Sequence, residues 1–160
     1  MTMKIIFLDI DGVLNCSESK SECFGYTGID NLRIKRLKRI IEETNAQIIL
    51  ISTWKENWFK ESFNKCQQDE LANYLDRKFK RERLSVLDKT TDINGSRGKG
   101  ILQAISKYSI KNFIILDDEF FDYEELKLLP HLIKTEYLNG GLTEEITNKT
   151  INLLKGENYV

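Results

Sequence analysis

The segment "KIIFLDIDGVLN" carries four apolar residues, Ile5 to Leu8, into two aspartates, Asp9 and Asp11, separated by one isoleucine. In an extended chain successive side chains alternate faces, so this spacing predicts that Asp9 and Asp11 point the same way. Two carboxylates that close repel by about 4 kcal/mol at an effective dielectric of ~20. A hard divalent cation between them offsets the repulsion and keeps Asp9 ionised, able to attack phosphorus. Two further apolar runs end in reactive groups: "AQIILIS" in Ser52, followed by Thr53, and "NFIILDD" in Asp117 and Asp118. A lone Asp or Ser after a strand ordinarily caps the next helix. Three such endings, one of them Asp-x-Asp-Gly, point instead to a shared site.

The stretch "NGSRGKGI" adds Arg97 and Lys99 in a glycine-rich turn. It is not a P-loop: Ile93 stands where that motif needs its first glycine, and Gly100 where it needs Ser or Thr. His131 is the only histidine and no G-x-S-x-G occurs, so any catalysis rests on carboxylates, hydroxyls and cations. Facing carboxylates with a substrate phosphate suit Mg2+, which keeps several waters and few protein ligands.

Such residues meet only if strands place them on one edge. Five segments read as strands: Lys4 to Asp9, 46–52, 84–88, 112–118 and 131–135. Several are continuous apolar runs, the mark of strands covered on both faces. Helical patterns lie between them: Asp30 to Asn45; a stripe of Trp58, Phe59, Ser62, Phe63 and Cys66; a stripe of Leu71, Tyr74, Leu75 and Phe79; Lys99 to Tyr108; and Thr143 to Lys155. The alternation predicts a doubly wound α/β fold, a five-stranded parallel sheet with helices on both faces. Ligands in such folds bind beyond the carboxyl ends of the strands. At 160 residues, with one proline and no repeats, the chain reads as a single domain, 1–160, without a large cap. The polar loop 15–30 reads as a flap over the site, and 54–83 as helices packed on the sheet.

A net charge of −1 gives no global reason to expect a polyanion partner. Cys16, Cys23 and Cys66 have no C-x-x-C spacing, which argues against a disulfide framework or thiolate zinc site. The amino terminus resembles neither a signal peptide nor a membrane span, so a cytoplasmic protein without an obligate protein partner is expected.

In this order and at these strand ends, "DIDGV", Ser52, "SRGKGI" and "LDD" resemble the four motifs of the haloacid dehalogenase (HAD) superfamily of phosphotransferases. "FLDIDGVLN", "STWK", "SRGKGI", "ILDDE" and "GGLTEEITNKTINLL" are most similar to its small capless members, found as the phosphatase-like module of Swiss Army Knife RNA repair proteins and as stand-alone proteins. The resemblance implies an Mg2+-dependent phosphatase with Asp9 as the nucleophile that becomes an aspartyl phosphate. Asp11 would be the general acid and then the base, and Ser52 would hydrogen-bond the phosphoryl group. Arg97 or Lys99 would hold its charge. Asp117 and Asp118 would complete the metal site with Asp9 and the backbone carbonyl of Asp11. Gly12 would turn the chain so that backbone N–H groups face phosphate oxygens. An uncapped site suits a large substrate, such as a polynucleotide end.

Other features admit two readings. Trp54 and Trp58 offer a surface for stacking a base, or core packing. "RIKRLKR" at 33–39 and "RKFKRER" at 77–83 read as nucleic-acid contacts or as solvated helix faces. Two alternatives to the enzyme follow: a phospho-accepting, receiver-like module with Asp88 as acceptor, and a nucleic-acid-binding module with a vestigial site.

Overall fold

The computed structural model describes residues 2–156. In chain order the elements are β1 (Lys4–Leu8), β2 (Glu22–Cys23), β3 (Tyr26–Thr27), α1 (Asn31–Thr44), β4 (Gln47–Leu50), α2 (Glu70–Arg81), β5 (Val86–Lys89), α3 (Arg97–Tyr108), β6 (Asn112–Asp117), β7 (Leu132–Lys134) and α4 (Glu144–Leu154). Five strands form one sheet in the order β5-β4-β1-β6-β7, every pair parallel. The central strand, β1, is flanked by β4 and β6, with Leu8 level with Leu50 and Leu116.

Side-chain alternation sorts each strand between two cores. Ile6, Leu8, Ile48, Leu50 and Leu116 pack with α1, α2 and α4. Ile5, Phe7, Ile49, Ile51 and Ile115 pack with α3, Tyr123 and Leu128 on the opposite face. Both faces are therefore covered, as the unbroken apolar runs predict.

The helix boundaries follow local chemistry. Asp30 accepts from the Arg33 backbone N–H (2.9 Å) to cap α1, whose other end stops at Asn45 in the left-handed conformation. Ser96 caps α3 and Thr143 caps α4 in the same way.

The segment 54–83 holds one α-helix rather than two. Leu71, Tyr74, Leu75 and Phe79 lie on α2, but the stripe from Trp58 to Cys66 is irregular, with 3-10 turns at Thr53–Lys55 and Ser62–Gln67. Side chains take over backbone pairing there: Gln68 Oε1 accepts from the Phe59 N–H (2.9 Å), and Asp76 binds Trp58 Nε1, Lys65 and Gln68. Phe63 consequently stands 76% exposed. Within 15–30 the chain forms the short antiparallel β2–β3 hairpin.

In the first basic cluster Lys35 is exposed, while the three arginines are tied to the chain around α4. Arg33 Nε donates to Gly140 O and Arg36 Nη1 to Leu142 O, each at 2.9 Å, and Arg39 pairs with Glu144 and Asn148. These cations fasten α1 to α4. In the second cluster Lys78 donates to Asn31, while Arg77, Lys80, Arg81 and Arg83 stay exposed. No helix among the described residues is long and apolar enough to cross a membrane.

Candidate active site

Parallel strands of equal register carry the ends of β1, β4 and β6 to one edge. The Asp9 N–H donates to Leu116 O (2.9 Å) and the Ile51 N–H to Leu8 O (3.0 Å), so the ladder holds the chain to the point where the polar residues begin. Carboxylate oxygens of Asp9, Asp117 and Asp118 all lie within 4.8 Å of one another. Asp9 is 6% exposed and Asp117 wholly buried.

Among the described residues, one cation reaches this group. Arg97 Nη1 donates to Asp117 Oδ2 (2.9 Å) and lies 3.5 Å from Asp9 Oδ1, with its guanidinium 4.2 Å from the Phe121 ring centroid. Lys99 is exposed, and its backbone N–H joins the Ser96 cap. Positions two apart on a helix face directions roughly 200° apart, so these two side chains cannot both look into the site. Gly98 explains how α3 comes so near: a Cβ there would stand 2.6 Å from Leu126 Cδ1 and 2.8 Å from Asp122 Oδ1.

Burial raises the Asp9 carboxyl well above the usual carboxylate range; Asp117 adds to the rise and Arg97 opposes it. Asp118 is raised by burial and by Asp117. Burial works against the charge on Arg97, but Asp9 and Asp117 outweigh it and hold the guanidinium protonated. The Tyr123 hydroxyl, raised by burial and then by Asp117, is a firm donor to Asp117 Oδ2 at 2.7 Å. With all three carboxylates ionised, one guanidinium leaves an excess of two negative charges. Hard oxygen donors with that deficit fit a divalent cation such as Mg2+.

Gly12 closes the cradle. Its φ of +78° disfavours any other residue, and a Cβ would fall 2.2 Å from Asp118 Oδ2. Thr135 Oγ1 donates to its carbonyl at 2.5 Å.

Asp11 departs from the alternation argument. Strand β1 ends at Leu8, and N–H groups of Val13 and Leu14 bond back to Ile10 O, so Asp11 sits in a turn. Its carboxylate is not one of the three clustered acids. Instead Oδ1 accepts from Asn15 Nδ2 (2.9 Å) and Oδ2 from Trp54 Nε1 (3.0 Å). Ser52 is buried, its Oγ accepting from the Trp54 N–H (3.2 Å), and Thr53 is exposed. Trp54 is itself buried, its ring 6.2 Å from that of Tyr74, so it presents no open face for stacking a base. Trp58 is buried too, under Lys65.

Asp88 stands apart, against the far end of α3, where Tyr108 (2.5 Å) and Lys107 (3.0 Å) donate to it. Ten residues of helix put that end ~15 Å from Arg97. Burial pushes the Asp88 carboxyl up, but those hydrogen bonds outweigh it and leave it below its ordinary value. The acceptor required by a receiver-like reading is thus remote from the clustered acids.

Sequence reasoning gave no role to Lys55, Asn15 or Tyr123. Lys55 Nζ, buried, donates to Ile51 O (3.2 Å), Thr90 Oγ1 (3.0 Å) and Asp92 Oδ1 (2.6 Å), joining the loop after β4 to the loop before α3. Burial lowers this lysine despite Asp92. Its place three residues after Ser52, in "STWK", was the available signal; Tyr123 carried none.

No curated protein and no solved structure matches the chain. A family model does, that of the HAD domain in Swiss Army Knife RNA repair proteins, over residues 5–146. With that match spanning most of the sequence and the parallel α/β core arranged as described, the chain belongs to this family of HAD domains.

Proposed function

We propose that the protein is an Mg2+-dependent phosphomonoesterase that works through a phosphorylated Asp9. The observation carrying this reading is the buried Asp9 carboxylate set among Asp117, Asp118 and Arg97 at one edge of the sheet. Asp9, Asp117 and Asp118, with the Asp11 backbone carbonyl, would hold Mg2+, which when bound neutralises the acids and the phosphoryl charge.

In the first step an Asp9 oxygen forms a bond to phosphorus, the bond from phosphorus to the leaving oxygen breaks, and Asp11 gives that oxygen its proton. In the second, water attacks phosphorus, Asp11 takes the water's proton, and the Asp9–phosphorus bond breaks. Proton transfer of this kind contributes about 10²–10⁴-fold. Arg97 and the Ser52 hydroxyl would hold the phosphoryl oxygens, helped by Thr53; the N–H groups of Gly12, Val13 and Leu14 are already taken by Asn15 Oδ1 and Ile10 O. Lys99, on the exposed side of the same turn, would meet outer parts of the substrate.

Large phosphorylated substrates, polynucleotide ends first among them, fit an uncapped sheet edge. The family's occurrence in RNA repair proteins supports that class. The test is hydrolysis of an aryl phosphate and of 3′- and 5′-phosphorylated oligonucleotides, with and without Mg2+, by wild type and Asp9→Asn. Metal-dependent turnover abolished by Asp9→Asn is expected. Oligonucleotide binding without turnover would favour a vestigial site.

A further inference from the structure

Of Asp9, Asp11, Asp117 and Asp118 only Asp11 is exposed, yet both of its oxygens are held by donors that are themselves buried. An exposed aspartate ordinarily samples several rotamers and spends them on water. Here Trp54 Nε1 takes one oxygen at 3.0 Å and Asn15 Nδ2 the other at 2.9 Å.

Neither donor is free to follow a wandering carboxylate. The Trp54 ring is packed near Tyr74, whose hydroxyl accepts from the Ile29 N–H at 3.1 Å. Asn15 is wholly buried, and its side-chain amide is committed three times. Besides Asp11, Nδ2 donates to Thr27 O (3.0 Å), at the base of the β2–β3 hairpin, and Oδ1 accepts from the Gly12 N–H (2.9 Å). One amide therefore ties together the Gly12 turn, the hairpin and the Asp11 carboxylate.

We propose that Trp54 and Asn15 are positioning residues that aim the Asp11 carboxyl at the leaving oxygen, and that through Asn15 this aim depends on the hairpin being docked. The proposal rests on the phosphatase assignment and adds to it a clamp made of two side chains that touch neither substrate nor metal. Its consequence concerns the leaving group. An alkoxide, such as a ribose hydroxyl, leaves only with its proton supplied, whereas a nitrophenolate leaves nearly unaided. Loosening the clamp should therefore harm alkyl esters selectively. A residue that only supports the fold would harm every ester alike.

The experiment measures kcat/KM, which reports the steps up to release of the leaving group, for phosphate monoesters running from p-nitrophenyl through phenyl to alkyl. Wild type, Asp11→Asn, Trp54→Phe and Asn15→Ala are compared, with Mg2+ present. Trp54→Phe keeps an aromatic ring beside Tyr74 and removes the donor together with part of the indole volume, which its thermal transition reports. Asp11→Asn should steepen the dependence on leaving-group acidity most. Trp54→Phe and Asn15→Ala should each steepen it in the same direction, losing about 10-fold more on the alkyl ester than on p-nitrophenyl phosphate, a fraction of the full general-acid effect.

Equal losses on all esters, or an unchanged slope in both variants, overturns the proposal while leaving the phosphatase reading intact. The same holds if both variants lose all turnover together with their cooperative thermal transition, which makes the two donors structural. No turnover of any ester by wild type overturns both. Shortening the hairpin by deleting 23–26 provides the second arm: it should reproduce the slope of Asn15→Ala, and a wild-type slope there removes the hairpin from the proposal.

Discussion

Arg97 and Asp117 form a buried ion pair, Nη1 to Oδ2 at 2.9 Å, and the same nitrogen lies 3.5 Å from Asp9. The pair joins the first turn of α3 to the end of β6, and so fixes where a positive charge stands relative to the strand end that carries Asp9. It makes Arg97 the residue on which the electrostatics of this edge turn.

Arg97→Ala should therefore destabilise the metal-free protein by about 3–5 kcal/mol, the usual cost of stranding buried charge. Lys99→Ala, at an exposed position of the same turn, should change stability by less than ~0.5 kcal/mol. Urea unfolding of the two variants checks the contrast; equal effects would contradict the geometry.

Asp9 supplies a pH dependence. Its carboxyl is raised in the folded chain, chiefly by burial, so the folded state binds a proton there more tightly than the unfolded state does. The sign follows: without metal, the Asp9 contribution to stability is greatest below the ordinary carboxylate range and is lost as pH rises through the raised value. Asp9→Asn should melt higher than wild type near about pH 7 and nearly level with it at about pH 3.5. Melts in chelator across pH check this. Mg2+ at 100 times its Kd should restore ~2.7 kcal/mol to wild type, and less at equal concentration to Asp118→Asn.

Gly12 allows no side chain. With φ at +78° and a Cβ position 2.2 Å from Asp118 Oδ2, Gly12→Ala should cost at least about 1–2 kcal/mol from backbone conformation alone. It should also displace Asp118. A weakened Mg2+-induced rise in melting temperature, beyond the loss of stability itself, is the diagnostic result.

Lys55 spans two loops with three hydrogen bonds from one buried ammonium. Lys55→Met keeps most of the volume but leaves Ile51 O and Thr90 Oγ1 without this donor, an expected cost of about 1–3 kcal/mol. Amide exchange should quicken at residues 90–96 more than in α4, which hydrogen-exchange mass spectrometry resolves.

Much of the fold was legible in the sequence because it is governed by neighbours in the chain. "KIIFL", "QIIL" and "NFIIL" are strands covered on both faces, and Asp30 and Thr143 start helices through their own side chains. Where local rules compete, reading by periodicity was misleading. The spacing of Trp58, Phe59, Ser62, Phe63 and Cys66 suits a helix, yet Gln68 and Asp76 capture that segment's polar groups and leave Phe63 in solvent. Asp9 and Asp11 suit one strand face, yet the strand stops at Leu8, Asp11 sits in the turn that follows, and its carboxylate is not among the clustered acids.

By itself, then, the sequence determined the alternating strands and helices, the class of fold and the set of acids, hydroxyl and cations at strand ends, because those depend on short-range periodicity and residue type. The tertiary structure alone decided which of them meet. Asp9, Asp117 and Asp118 converge because β1 and β6 are neighbours in register; Arg97 rather than Lys99 faces them because α3 presents only one side to the sheet; Asp11 turns to Trp54, which arrives from the loop after β4, and to Asn15 of its own turn, which Thr27 of the hairpin holds in place. Contacts between residues far apart in the chain are set by packing of whole elements, which no local pattern encodes.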